Sequence, residues 1–201
     1  MNKNINNIVE ALKNGAVVLI ATDTVYGLAV LPTIENAVAK IYELKKRPRN
    51  MFLPIMVAKI SDLEILGLEI NDNVKKMFNS KYVPGAITFV LGFKTGREKP
   101  EWLKNRDEIA VRIPNDEVLL SVLEKTGALL VTSANLHGIS QTPTNVKDIL
   151  AQLNGKPDLI IENGEGKEIP STIINFRENP PKIERLGAIS KEEIEEIFKE
   201  N

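Results

Sequence analysis

The run Ala128-Leu129-Leu130-Val131, followed at once by Thr132-Ser133-Ala134-Asn135, constrains the fold more than any other stretch. Four consecutive apolar residues bounded by polar ones read as a buried strand. That strand leaves through hydroxyls and a carboxamide rather than a plain Gly/Pro turn, and the chain stays polar through Thr144. In open α/β sheets, ligands sit in the crevice outside the carboxyl ends of the strands. A Ser/Asn turn that caps its own backbone accounts for the same letters. On these residues alone both readings stand.

The rest of the chain supplies partners for such a strand. Ile5, Ile8, Val9 and Leu12 recur at helical spacing and predict a first amphipathic helix ending at Gly15; Ala16 to Ile20 is a buried strand stopping at Thr22-Asp23-Thr24. Thr33 is placed to cap a second helix with Ile34, Ala37, Val38, Ile41 and Tyr42 on its apolar face. It runs into Lys45-Lys46-Arg47-Pro48-Arg49, where Pro48 disfavours a helical residue before it. Leu53 to Val57 reads as a strand, and Ser61-Asp62-Leu63-Glu64 has the form of a capping box. Val74, Met77 and Phe78 mark a short helix, Pro84-Gly85 a turn, and Ile87 to Phe93 a strong strand. Lys94 to Asp107 is a polar loop with Trp102 as a packing anchor. Ile109 to Ile113 is a strand carrying Arg112, and Asp116 to Lys125 is helical.

Beyond the Thr-Ser-Ala-Asn stretch, Thr144 is placed to cap a helix through Leu153. Leu159 to Ile161 and Thr172 to Phe176 are strands separated by the Gly-rich Asn163-Gly164-Glu165-Gly166. Ser190-Lys191-Glu192-Glu193 opens a final helix with a second capping box. Strands alternate with helices without a long linker or repeat. The expectation is α/β (equally α+β): one three-layer domain over residues 1–201, its core about 5–190 and its C-terminal helix about 190–200. The turn-linked strand near residue 87 calls for a mixed, twisted sheet rather than a purely parallel one.

Composition sets outer limits. With 201 residues, 43% of them hydrophobic, the chain can bury a full core without crosslinks. It has no Cys, which excludes thiol catalysis, disulfide scaffolds and zinc fingers. A net charge of −1 advertises no global basic field for nucleic acid. The first residues lack a leader pattern, and the run Ala16 to Ala21 is too short to span a bilayer, so the expected location is the cytoplasm, with no membrane.

Several familiar machines are missing. There is no P-loop, no G-x-G-x-x-G after the first strand and no G-x-S-x-G elbow. The single His, His137, matches no triad order, and no carboxylate pair has recognisable metal spacing, so no protein metal site is expected. What remains are polar groups at element ends: Thr22-Asp23-Thr24, Lys45 with Arg47 and Arg49, Arg112, Thr132 with Ser133 and Asn135, Ser171-Thr172, and Arg185. Each has a plain structural explanation, the basic cluster as a solvated helix end and Arg112 as the partner of a core-edge carboxylate. Together they equip a site for a triphosphate or carboxylate held without a P-loop. Chemistry of that kind rests on positioning and charge stabilisation, not on a protein nucleophile.

Set in order, these motifs resemble the YrdC-like family of threonylcarbamoyl-AMP synthases. The matching residues are Thr22-Asp23-Thr24-Val25-Tyr26-Gly27-Leu28, Lys45-x-Arg47-Pro48 and Pro84-Gly85-Ala86-Ile87-Thr88. Ala110-Val111-Arg112-Ile113-Pro114, Ser133-Ala134-Asn135 with Gly138, Ser171-Thr172-Ile173 and Arg185-Leu186-Gly187 continue the set, which covers roughly residues 5 to 190.

The resemblance implies a YrdC-like fold and a nucleotidyltransferase. Such an enzyme condenses L-threonine, bicarbonate and ATP to L-threonylcarbamoyl-AMP and pyrophosphate, with Mg²⁺ as companion of the nucleotide. The product serves tRNA threonylcarbamoyladenosine formation through a downstream transferase. By motif position, Lys45 and Arg47 would be catalytic and Thr24, Arg112 and Thr132 would hold threonine. Arg47, Ser133, Asn135, Thr142, Ser171 and Arg185 would bind ATP. The chain departs from the family pattern at Met51-Phe52, Met56, Ala86, Glu108 and His137. Two alternatives accompany this reading: a non-catalytic binder of tRNA or double-stranded RNA, and a paralogue acting on another amine. Few aromatics and a slightly negative charge count against the first.

Overall fold

Apolar residues occupy both parities of the central strands, so the sheet they form must be covered on both faces. In the computed structural model, which describes residues 2–139, 141–162, 164 and 166–199, helices do this. Ser140, Asn163 and Glu165, from the polar run and the Gly-rich stretch, lie outside the described residues.

Helix α1 (Asn2–Lys13) leads into β1 (Val18–Ile20) and β2 (Gly27–Val30), then α2 (Glu35–Lys45) and β3 (Ile55–Met56). Helices α3 (Ile60–Ile65) and α4 (Asp72–Phe78) precede β4 (Ile87–Gly92) and β5 (Glu108–Arg112). Next come α5 (Glu117–Thr126), β6 (Leu129–Ser133), α6 (Val146–Gln152), β7 (Leu159–Ile161), β8 (Thr172–Asn175), β9 (Lys182–Arg185) and α7 (Lys191–Lys199). Among the described residues the nine strands form one sheet in the order β7-β1-β2-β6-β3-β5-β4-β8-β9. Pairs β1/β7, β3/β5 and β4/β8 are parallel, and the other five are antiparallel. The sheet is therefore mixed, as the turn before Ile87 required.

Local chemistry explains most boundaries and corrects some. Asn71 and Asp116 cap α4 and α5 by accepting the amides of Val74 and Leu119 at 3.0 and 2.8 Å. Ser190 and Glu193 exchange reciprocal bonds at the start of α7, so that capping box forms. The box near residue 61 starts earlier than its letters imply: Lys59 is the capping residue, and Asp62 accepts the amides of Ala58 and Lys59. Thr33 and Thr144 do not cap. Ile34 stands at the head of α2 without a side-chain bond, and Asn145 caps α6 through the amide of Asp148. Strands β2 and β9 escape the apolar pattern, since one opens on Gly27 and the other, Lys182-Ile183-Glu184-Arg185, is a largely polar edge. Trp102 packs partly buried against the core, as expected of an anchor.

The two faces of the sheet are dressed unequally. One carries a long core in which α2, α4, α6 and α7 pack on strands from β1 to β8, with Phe78 and Phe176 stacked on Phe89 at 4.6 and 5.0 Å. On the other, α1 and α5 lay Ile5, Ile8, Leu12, Leu119, Val122 and Leu123 over β1, β2, β3, β6 and β7 only. Residues of the same parity in β4, β5 and β8, namely Thr88, Ala110, Arg112 and Ile173, line a cavity instead.

Candidate functional site

That cavity holds about 260 Å³ and opens where α1 and α5 stop covering the sheet. The ends of β5 and β6 deliver Arg112, Thr132 and Ser133 to it. The β1–β2 connection adds Thr22 and Thr24, the segment after α2 adds Arg47 and Phe52, the residue before β8 adds Ser171, and the edge strand β9 adds Arg185. Seven of the ten residues to which the resemblance gave a site role thus share one wall: Thr24, Arg47, Arg112, Thr132, Ser133, Ser171 and Arg185. Lys45, Asn135 and Thr142 do not line it, although all three are buried.

Lys45 lies behind the wall. Its side chain is 2% exposed, and its ammonium donates to the carbonyl oxygens of Ser133 and Asn135, the latter at 2.6 Å, and to Asn135 Oδ1 at 3.2 Å. This corrects the picture of the basic cluster as a solvated helix end. Burial, with the nearby Arg47 charge adding to it, lowers the Lys45 pKa to about 7. The spacing of the Lys-x-Arg motif has a backbone cause. Lys46 adopts a left-handed conformation, φ 47°, which costs a non-glycine residue about 1–2 kcal/mol. The helix ends there, with the Lys46 and Arg47 amides bonded back to Glu43 and Tyr42. After this reversal Arg47 heads toward the cavity, where Nε donates to the Met51 carbonyl at 3.0 Å and Nη2 to that of Phe52 at 3.1 Å.

The Thr-Ser-Ala-Asn turn is both a self-capping turn and part of the site. Ser133 Oγ donates to Asn135 Oδ1, and Asn135 Nδ2 donates to the carbonyl of Ile139, as in a turn that caps its own backbone. The same turn receives Lys45, and its first residues face the cavity.

Arg112 is 5% exposed and donates from Nε to the Gly85 carbonyl at 2.8 Å and from Nη1 to Thr24 Oγ1 at 2.6 Å. Its Nη2 lies 2.7 Å from Asp23 Oδ1, a charge contact without hydrogen-bond geometry. Burial lowers the Arg112 pKa and Asp23 opposes that. Thr24 is itself fixed, since its amide donates to Thr22 Oγ1 at 3.1 Å. Ser171 Oγ pairs with Thr88 Oγ1 at 2.7 Å, and Arg185 Nη2 donates to the Ser171 carbonyl at 2.8 Å.

Charge decides what this cavity accepts. Among the described residues, Arg47 and Arg185 have no carboxylate partner; their hydrogen-bond acceptors are carbonyls and the Ser171 hydroxyl. Both have lowered pKa values, chiefly from burial, and at Arg185 the Arg112 charge adds to it. Among the described residues, no carboxylate or imidazole lines the cavity. Half-buried cations without counter-charges stabilise an entering anion more than solvated ones do, because little water must be stripped from them. The sequence reading did not assign Thr88, Tyr26 or Phe52 to the site; the parity of β4 and the departure at Met51-Phe52 were the available signals. Met56, another departure, lines the cavity beside Arg112, its partner in the β3/β5 pairing. Glu108 lies away from it and pairs with Arg177.

A family model described as "Telomere recombination", Sua5_yciO_yrdC, matches residues 10–187. A curated relative, threonylcarbamoyl-AMP synthase of Pyrococcus abyssi, is 34% identical over 94% of this chain and 55% of its own length. The crystal structure of P. abyssi Sua5 complexed with L-threonine superposes with a TM-score of 0.87 at 32% identity, over 100% of this chain and 58% of that one. That of Escherichia coli YciO does so with a TM-score of 0.83 at 27% identity, over 96% and 94%. The chain spans about half the length of the first of these relatives. By sequence and fold, the chain belongs to the Sua5/YrdC family.

Proposed function

We propose that the chain is a nucleotidyltransferase that condenses L-threonine, bicarbonate and ATP to L-threonylcarbamoyl-AMP, for tRNA threonylcarbamoyladenosine biosynthesis. The observation that carries this reading is the cavity with two guanidiniums, Arg47 and Arg185, that have no carboxylate partner among the described residues, beside the Arg112–Thr24 pair. Relatives named threonylcarbamoyl-AMP synthase and a Sua5 complex with L-threonine support it. In this reading Thr24, Arg112 and Thr132 receive threonine, and Arg47, Ser133, Ser171 and Arg185 receive ATP. Lys45, Asn135 and Thr142 act from behind, Lys45 by holding the Ser133–Asn135 turn in place.

The threonine amine and bicarbonate give a carbamate with loss of water. A carbamate oxygen then attacks the α-phosphorus of ATP, and pyrophosphate leaves. The residues lining the cavity contribute orientation and stabilise charge developing on the phosphate oxygens. Among the described residues the lining offers hydroxyls and guanidiniums but no carboxylate, and a Mg²⁺ ion would enter with the nucleotide phosphates.

The deciding measurement is pyrophosphate release from ATP as a function of threonine and bicarbonate. Release that requires both supports the synthase. Release with another amine favours the paralogue. No release, with RNA retained near physiological salt, overturns catalysis in favour of RNA binding. Among the described residues no helix is long and apolar enough to cross a membrane.

A further inference from the structure

We propose that Phe52 is the stacking surface for the nucleobase of the bound nucleotide, an inference that rests on the nucleotide reading of the cavity. Phe52 lines the cavity while remaining 49% exposed. A lone exposed phenylalanine is ordinary; this one is set on an unusually well-tied backbone. Three successive carbonyls accept guanidinium hydrogens: Met51 and Phe52 from Arg47, and Leu53 from Arg106 Nη1 at 2.9 Å. Tyr42 Oη adds a further bond to the Met51 carbonyl at 3.2 Å. These bonds hold the backbone from which the ring projects.

One side of the ring is already occupied. The guanidinium carbon of Arg106, a residue 7% exposed, sits 4.5 Å from the ring centroid. A cation held against one face, out of water, fixes the ring plane and leaves its exposed part to meet a second flat group. Arg47 ties this platform to the phosphate-binding wall, because the guanidinium that faces the cavity also bonds the Phe52 carbonyl. A nucleotide has this pair of features, a planar aromatic base and a phosphate chain on one framework. Stacking on an aromatic ring recognises the face of a base rather than its edge.

The test is titration calorimetry of wild type, Phe52→Ala and Phe52→Tyr with two probes, ATP and inorganic tripolyphosphate. Phe52→Ala should weaken ATP binding about ten-fold, the range of one lost base–aromatic stack, and leave tripolyphosphate binding unchanged. Phe52→Tyr should keep wild-type affinity for both. Unchanged ATP affinity in Phe52→Ala, or an equal loss for both probes, overturns the stacking role while the nucleotide reading survives. A wild-type protein that binds neither probe overturns both.

Discussion

The ammonium of Lys45 sits 2.6 Å from the carbonyl oxygen of Asn135, ninety positions further along the chain. One buried bond thus joins the end of a helix to the turn that closes a strand, and both neighbours of that bond, Arg47 and Ser133, line the cavity.

Lys45 should therefore matter for stability as well as for turnover. Replacing it by Met strands the buried carbonyl of Asn135 and the half-buried one of Ser133, at about 1–3 kcal/mol for a fully buried unsatisfied group. The pH dependence has a defined sign. The native pKa, about 7, lies below the ordinary 10.5, so the unfolded chain holds more protons between these values and wild-type stability rises with pH across that window. From pH 7 to 9 the gain relative to Lys45→Met should be about 2 kcal/mol, read from denaturant midpoints. A pH-independent difference would mean that the acceptors keep the ammonium charged.

Arg112 and Asp23 should behave as a unit. Arg112→Ala leaves a carboxylate nine-tenths buried without its partner and should cost about 3–5 kcal/mol. The double variant Arg112→Met with Asp23→Asn should recover most of that loss in thermal unfolding while failing to bind threonine. If the double variant is as unstable as the single one, the pair is not what holds this corner together.

Gly187 has no room for a side chain. A Cβ there would overlap the carbonyl oxygen of Pro170 and lie 2.5 Å from the carbonyl carbon of Ser171. Gly187→Ala should force β8 and β9 apart near the site, costing about 1–3 kcal/mol as other overpacked substitutions do. ATP affinity should fall with it, because Ser171 and Arg185 would shift together. Retained affinity at reduced stability would place the two residues outside nucleotide binding.

Arg47→Lys probes the guanidinium fork. A lysine ammonium cannot serve the Met51 and Phe52 carbonyls in the same planar geometry while meeting an anion. Tripolyphosphate affinity should drop about ten-fold, and stability should change by about 1 kcal/mol or less. Equal affinity in the two proteins would remove Arg47 from the phosphate wall.

Much of this molecule is legible in its sequence because periodicity and capping are local. The runs around Val18, Ile87, Val111 and Val131 had to be strands, and Asp116 and Ser190 had to begin helices, since each signal lies within a few residues of its effect. Strands Gly27–Val30 and Lys182–Arg185 were not legible. Their conformation is imposed by pairing, on the first from its neighbour β1 and the sequence-distant β6, and on the second from β8.

The site divides the same way. The ordered motifs single out Thr24, Lys45, Arg47, Arg112, Thr132, Ser133, Asn135, Thr142, Ser171 and Arg185 as candidates. Which of them meet the cavity, and which work from behind, was decided only in three dimensions. Lys45 and Arg47 look equivalent as letters, yet the left-handed turn at Lys46 buries one and presents the other. Arg112 proved to be the partner of a core-edge carboxylate and a wall of the cavity at once. Burial, charge pairing and cavity shape depend on contacts between segments distant in sequence, and no local pattern encodes them.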